Sequence, residues 1–306
     1  APQSFTNAVF FSIKYYYTGC VILFVFFTLS EIQLLSKKMK GFPRAISEEL
    51  RGWHWNEPPL YPSSNTLLSV SDLTNGFCDS GRYVYLKHKG ITPRFEAKVG
   101  NTVHVTYATA IETIKRLIYE HEGLDGVRLR TLMTDEFYNL KVDLPEVAKP
   151  LWDYIVSIYS AELEKARSKP FLRRDSLVSL VVPFYVEYPI DGSLIGLQSN
   201  LRVDAFVPTL PLIAEMKTGS YKRDHELALA GYALAFESQY EVPVDFGYLC
   251  YVNVVDGKVS SSCRLLVITD TLRHEFIELR DRALRAIDDD VDPGLAKKCS
   301  SDCPFL

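Results

Sequence analysis

The chain has 306 residues, of which 47% are hydrophobic and 24% charged. That length and composition suit one large globular domain, or a core with a smaller appended piece, and exclude a mainly disordered protein. A net charge of -4 does not mark a nucleic-acid binder, yet it does not exclude one, because carboxylates that hold a metal count against the total while a local groove handles phosphates.

Near the N-terminus, residues 15–30 (YYYTGCVILFVFFTLS) carry no charge. The run is shorter than the roughly 20 residues of a membrane-spanning helix, and a secretory signal would want a basic start and a small-residue cleavage site, whereas Lys14 is the one basic residue before the run. A buried helix or strand, a membrane anchor and an artefact of the chosen start codon are all open. Ser30, followed by Ile32, Leu34 and Leu35, predicts a capped helix ending by Gly41. The proline- and aromatic-rich residues 53–64 predict an ordered, extended connector, in which His54 between two tryptophans reads as a packed surface residue. Cys78 follows the turn signal Asn75-Gly76 and precedes the basic, aromatic phrase GRYVYLKHKG. By itself it reads as an inert buried thiol; its setting also suits a cluster ligand near a DNA surface.

The periodicity predicts a helix over 101–119, with Ile111, Ile114 and Ile118 on its apolar face and His104 in its first turn. A lone histidine there is ordinarily a satisfied core residue. Residues 121–150, punctuated by Gly123, Gly126, Pro145 and Pro150, predict a connecting excursion with one short helix, and 151–169 an amphipathic helix. Residues 179–188 (SLVVPFYVEY) predict a strand, with Glu187 near its end as a second-rank metal-site acid or a solvent-facing residue.

The most informative stretch is 201–232, LRVDAFVPTLPLIAEMKTGSYKRDHELALAGY. Two short apolar runs, 201–207 and 210–216, are broken by Pro208 and Pro211 and closed by Gly219, which predicts adjacent strands of a buried sheet. Asp204 tips the first; Glu215 and Lys217 tip the second. Oxygen ligands of this kind suit Mg²⁺ or Mn²⁺, and a lysine two residues from the glutamate projects to the same side, where it can orient or deprotonate an attacking water. Such charged strand ends also arise simply where a strand reaches solvent. An alanine-rich helix over 225–238 carries Tyr232. Strands over 246–254 and 259–269 meet at the hairpin signal Asp256-Gly257, with Cys250 and Cys263 read as core residues, and the last helix spans 270–287. The tail, GLAKKCSSDCPFL, brings Cys299 and Cys303, the latter followed by proline as at iron-sulfur sites. Six scattered cysteines suit a metal or iron-sulfur site rather than a disulfide scaffold.

The order His104, Asp204, Glu215-x-Lys217, Tyr232, bracketed by one early and two late cysteines, resembles the RecB-like branch of the PD-(D/E)XK nucleases. Within it the chain is similar to the CRISPR-associated exonuclease family of spacer acquisition, in its archaeal subtype with an iron-sulfur cluster; ELRGW, a Cys before GRYVYL, EMKTG and HELALAGYALA carry the likeness from about Val25 onward. The resemblance implies an α/β fold: a restriction-endonuclease-like core with a mixed central sheet flanked by helices, plus an iron-sulfur region joining the N-terminal and C-terminal segments. It divides the chain into 1–24, an upstream extension or apolar segment; 25–98, a helical region with Cys78; 99–290, the nuclease core; and 291–306, the cysteine-containing tail. A GTG start read as Val25 would make residues 1–24 that extension.

The resemblance also implies roles. His104, Asp204, Glu215 and the Met216 backbone carbonyl hold Mn²⁺ or Mg²⁺; Lys217, with Asp204, Glu215 and Tyr232, serves catalysis of DNA phosphodiester hydrolysis. Cys78, Cys299 and Cys303 bind a 4Fe-4S cluster. The expected partners are DNA with single-stranded character and CRISPR integrase proteins, in an antiviral-defence setting in the cytoplasm, with no membrane. Two positions depart from the pattern. Ala228 stands where the family helix carries glutamine four residues before Tyr232, with His225 nearby. One late cysteine is missing, which truncation, Cys263 or Cys20 would explain. The competing reading is a catalytically weak nuclease-fold subunit that binds DNA; a membrane-anchored hydrolase rests on residues 15–30 alone.

Overall fold

In the computed structural model the described residues are 27–305 apart from 44, 76, 77, 79, 95, 96, 171, 298 and 300–302. Cys20, Val25 and most of the uncharged run lie outside them. Among the described residues, no helix is long and apolar enough to cross a membrane.

The chain enters through α1 (Leu29–Met39), whose N-terminus is closed by a capping box: Thr28 Oγ1 accepts from Glu31 N–H and the Glu31 carboxylate accepts from Thr28 N–H. The cap is thus Thr28 and not Ser30, because only Thr28 has an acidic residue three positions on. Glu48–Leu50 and Gly52–His54 form two short 3-10 turns, and the stretch 53–64 expected to be extended runs on from the second through turns and bends. The following segment is held by the buried Arg280 guanidinium, which donates to the carbonyls of Pro59, Leu60 and Ile195. Then come α2 (Val70–Leu73), α3 (Arg82–His88), α4 (Lys98–Glu120), α5 (Gly126–Phe137), α6 (Pro145–Arg167) and α7 (Arg174–Val181).

Two sequence expectations change here. The helix expected over 151–169 begins six residues earlier, at Pro145, which occupies the first turn where its missing N–H costs nothing. The strand expected over 179–188 is helical as far as Val181, and β1 covers only Tyr185–Ile190. A short apolar run cannot by itself distinguish a buried strand from a helix end.

The strands β1, β2 (Leu201–Val207), β3 (Leu212–Lys217), β4 (Phe246–Val255) and β5 (Lys258–Val267) form one sheet in sequence order. All neighbours are antiparallel except β3 and β4, and that parallel step requires the crossover helix α8 (Asp224–Tyr240). The β4–β5 hairpin turns at Asp256 and Gly257, both at positive φ, as the sequence expects of Asp-Gly. Helix α9 (Asp270–Asp288) follows.

One core lies between the sheet and α1 and α4 to α7, with Tyr107, Trp152, Tyr159, Ala214, Met216 and Cys250 buried in it. The other face packs on α8, α9 and the 50–73 segment through Ile213, Leu229, Leu249 and Phe276. Alpha-helix α8 is apolar nearly all round because it is covered on every side. Gly231 sets its approach to α9: a Cβ there would fall 2.5 Å from the Phe276 ring.

Side chains two apart on a strand share a face, yet Val186 belongs to the first core while Tyr188 packs against the second. Val203 and Ala205 on β2 show the same exchange. Both strands therefore switch faces at the same level, across Glu187 and Asp204. Glu187 has φ 48, outside the extended region. At this level the sheet stops being a plain divider between two layers.

Candidate active site

Beyond Ala205↔Ala214 the β2–β3 ladder opens, so Asp204 and Glu215 do not pair through their backbones. A buried N–H must still find an acceptor, and Met216 N–H finds Asp204 Oδ2 at 2.6 Å. The other carboxylate oxygen, Oδ1, lies 2.9 Å from His104 Nδ1 on α4. Helix α4 packs against β1, the neighbour of the Asp204 strand, and from there His104 reaches Asp204. Lys217 Nζ donates to Glu215 Oε2 at 2.8 Å, as two residues on one strand side must allow. Tyr232 on α8 is buried close enough for Glu215, Asp204 and Glu187 to act on its hydroxyl, which burial first and these carboxylates second hold well above its usual range.

The charges respond to one another. Burial works against protonation of His104, but Asp204 outweighs it and holds the imidazole above its ordinary value. Burial alone would raise Asp204; His104, Lys217 and the Met216 N–H together hold it low. Glu215, only 2% exposed, is pushed up to about 7 by burial and by Asp204, against the pull of Lys217. Its Oε1 is buried with no hydrogen-bond partner, an expensive state for a carboxylate oxygen. The donor set of one imidazole, carboxylates and a nearby peptide carbonyl at Met216 suits a hard divalent cation, which would answer the orphaned oxygen.

Glu187, opposite Asp204 in the β1–β2 register, joins this site: His104, Glu187 and Asp204 each offer an atom within 4.8 Å of the others. Its position next to last in the run 179–188 gave only a weak signal, because the sequence does not show the face switch. Ala228 is buried one turn before Tyr232 on α8 and offers no polar atom. His225, at the start of that helix, meets Tyr251 Oη at 2.8 Å through Nδ1, and Tyr251 is the β4 register partner of Lys217.

At the opposite end of the chain order, Cys78, Cys299 and Cys303 line one small cavity with Tyr83, Leu86 and Phe305. The tail is docked there by Arg94 N–H to Pro304 O (2.9 Å), Ser80 Oγ to Gly294 O (2.9 Å) and the Tyr83–Phe305 edge contact. Partial burial and the neighbouring Cys303 and Cys78 raise the Cys299 thiol. Thiols are the ligand type of an iron-sulfur cluster, and these three line the same cavity. Cys250 and Cys263, expected as separate core residues, are instead joined by a disulfide across directly paired positions of β4 and β5. That bond occupies Cys263, which removes it as the substitute fourth ligand in this structure.

Compared with known proteins, residues 25–306 match the family described as CRISPR-associated exonuclease Csa1. A Saccharolobus solfataricus protein named CRISPR-associated exonuclease Csa1 is 57% identical over 288 residues, covering 92% of this chain and 98% of that protein. One of the same name from Thermoproteus tenax is 30% identical over 284 residues, covering 91% and 97%.

Proposed function

The chain belongs to the CRISPR-associated exonuclease Csa1 family, and from that membership we propose that it is a Mn²⁺- or Mg²⁺-dependent deoxyribonuclease that trims DNA ends before their integration into a CRISPR array. The carrying observation is the buried Glu215 carboxylate with one oxygen on Lys217 and the other on nothing, beside the Asp204–His104 contact. A helix-flanked mixed sheet with Asp204 and Glu215 on adjacent strands, where the β2–β3 ladder opens, supports a RecB-like PD-(D/E)XK core.

In this reading His104, Asp204, Glu215 and the Met216 carbonyl hold the cation, which would polarise the scissile phosphate and lower the pKa of a bound water. Lys217 lies on the Glu215 side, where its ammonium, fixed by Glu215 Oε2, orients the attacking water and can give a proton there. Asp204 keeps His104 and β3 in register with each other through its two oxygens. Tyr232 closes the α8 side of the site and limits its water. Cys78, Cys299 and Cys303 would hold the 4Fe-4S cluster that pins the tail to the N-terminal region. The substrate is DNA with single-stranded ends, and the partners are CRISPR integrase proteins in the cytoplasm.

The test is digestion of end-labelled single-stranded and duplex DNA with Mn²⁺ or Mg²⁺. Asp204→Ala and Lys217→Ala each lower the rate by roughly 10²-fold or more. Equal rates in all three proteins remove the proposed chemistry. Buried Ala228 favours a second reading, a DNA-binding subunit with weak catalysis; slow cleavage by the wild type with unimpaired DNA binding would select it.

A further inference from the structure

We propose that Glu187 is a ligand of the divalent cation, sharing it with His104 and Asp204, a donor outside the Glu-x-Lys arrangement; the inference rests on the metal-dependent reading of this same site. An octahedral cation with bonds of about 2.1 Å spaces its neighbouring ligand atoms about 3 Å apart and opposite ones about 4.2 Å. The three donor atoms of His104, Glu187 and Asp204 all lie within 4.8 Å of one another, so one ion can reach all three with little rearrangement.

The topology explains how a residue so far from the recognised acids arrives here. Glu187 stands opposite Asp204 at the level where β1 and β2 exchange faces. Asp204 presents Oδ1 to His104 while Oδ2 accepts from the Met216 N–H of β3. Among the described residues no lysine or arginine forms an ion pair with Glu187 that would hold it elsewhere. An independent sign of a missing cation is the partnerless Glu215 Oε1, from a side chain almost wholly buried, within electrostatic reach of both Asp204 and His104. A half-buried glutamate that merely faces water does not require this convergence.

The experiment is calorimetric titration of Mn²⁺ into metal-stripped full-length protein: wild type, Glu187→Gln and Glu112→Gln, each checked for its melting curve. Glu112 is exposed on α4 and acts on Glu187 electrostatically, without belonging to the trio, so it controls for the loss of a nearby charge. Glu187→Gln is expected to weaken Mn²⁺ binding about tenfold or more, and Glu112→Gln to stay within about twofold of wild type. If Glu187→Gln fails to fold, Glu187→Asp, which keeps the charge and shortens the reach, is expected to weaken binding as well. Wild-type affinity in a folded Glu187 variant, or equal losses in the Glu187 and Glu112 variants, overturns Glu187 as a ligand and leaves the His104, Asp204 and Glu215 site standing. A wild type that takes up no Mn²⁺ overturns the metal-site reading itself, and this inference with it.

Discussion

His225 stands three residues before Ala228 on α8, and its environment sets when it can carry charge. Burial, then the ammonium groups of Lys217 and Lys222, push its imidazole down to about 4 from an ordinary 6.5. Between those values the unfolded chain binds more protons than the folded one. The stability this gives is present above 6.5 and is lost as the pH falls through about 4. In metal-free protein, His225→Gln should therefore flatten the acid limb of Tm plotted against pH. An unchanged limb would show that His225 titrates as it does in the unfolded chain. From the sequence His225 was only a neighbour on the helix; its hydrogen bond to Tyr251 and its closeness to Lys217 depend on β4 lying beside β3.

At the scale of elements, the ELRGW phrase takes on a structural meaning. Arg51 donates to Glu237 and Asp245, Gly52 N–H donates to Glu237 Oε2, and Arg273 donates to Glu237 through two nitrogens. Glu237 is 0% exposed and also accepts from Val244 N–H. This one carboxylate joins the N-terminal segment, α8, the turn before β4 and α9. Gly52 is required at this crossing, because a Cβ would meet Leu234 O at 2.2 Å. Removing the acid leaves two buried guanidinium groups short of an acceptor, so Glu237→Ala should cost about 3–5 kcal/mol in chemical denaturation. A loss below about 1 kcal/mol would mean that water replaces the carboxylate. The sequence shows an acidic residue on an apolar helix but not its partners, which lie up to 186 positions away.

At the scale of the whole molecule, two cores share one sheet, and the tail returns to α3 to bring Cys299 and Cys303 beside Cys78. Anaerobically purified wild type should carry iron and sulfide, with content reduced in Cys78→Ser and Cys303→Ser. A Cys250→Ser, Cys263→Ser double variant should retain it, since those sulfurs are already bonded to each other. Iron and sulfide at background in the wild type would remove the cluster, and loss in the double variant would reassign its ligands.

The sequence by itself determined β2 to the residue, the β4–β5 turn at Asp256-Gly257, the course of α8 and α9, and the set of groups worth watching: His104, Asp204, Glu215 and Lys217. These are written in local periodicity, turn chemistry and two-residue spacing, which neighbouring residues enforce on one another. Where local signals were ambiguous, as at 145–150 and 179–182, helix ends were misplaced. Only the tertiary structure decided that Glu187 faces Asp204, that Cys250 bonds Cys263, that Glu237 is the buried junction, and that the three thiols meet. Each depends on which strand lies beside which and on which face a side chain emerges. Those are outcomes of long-range packing, and the face switch in β1 and β2 reverses what simple alternation would predict.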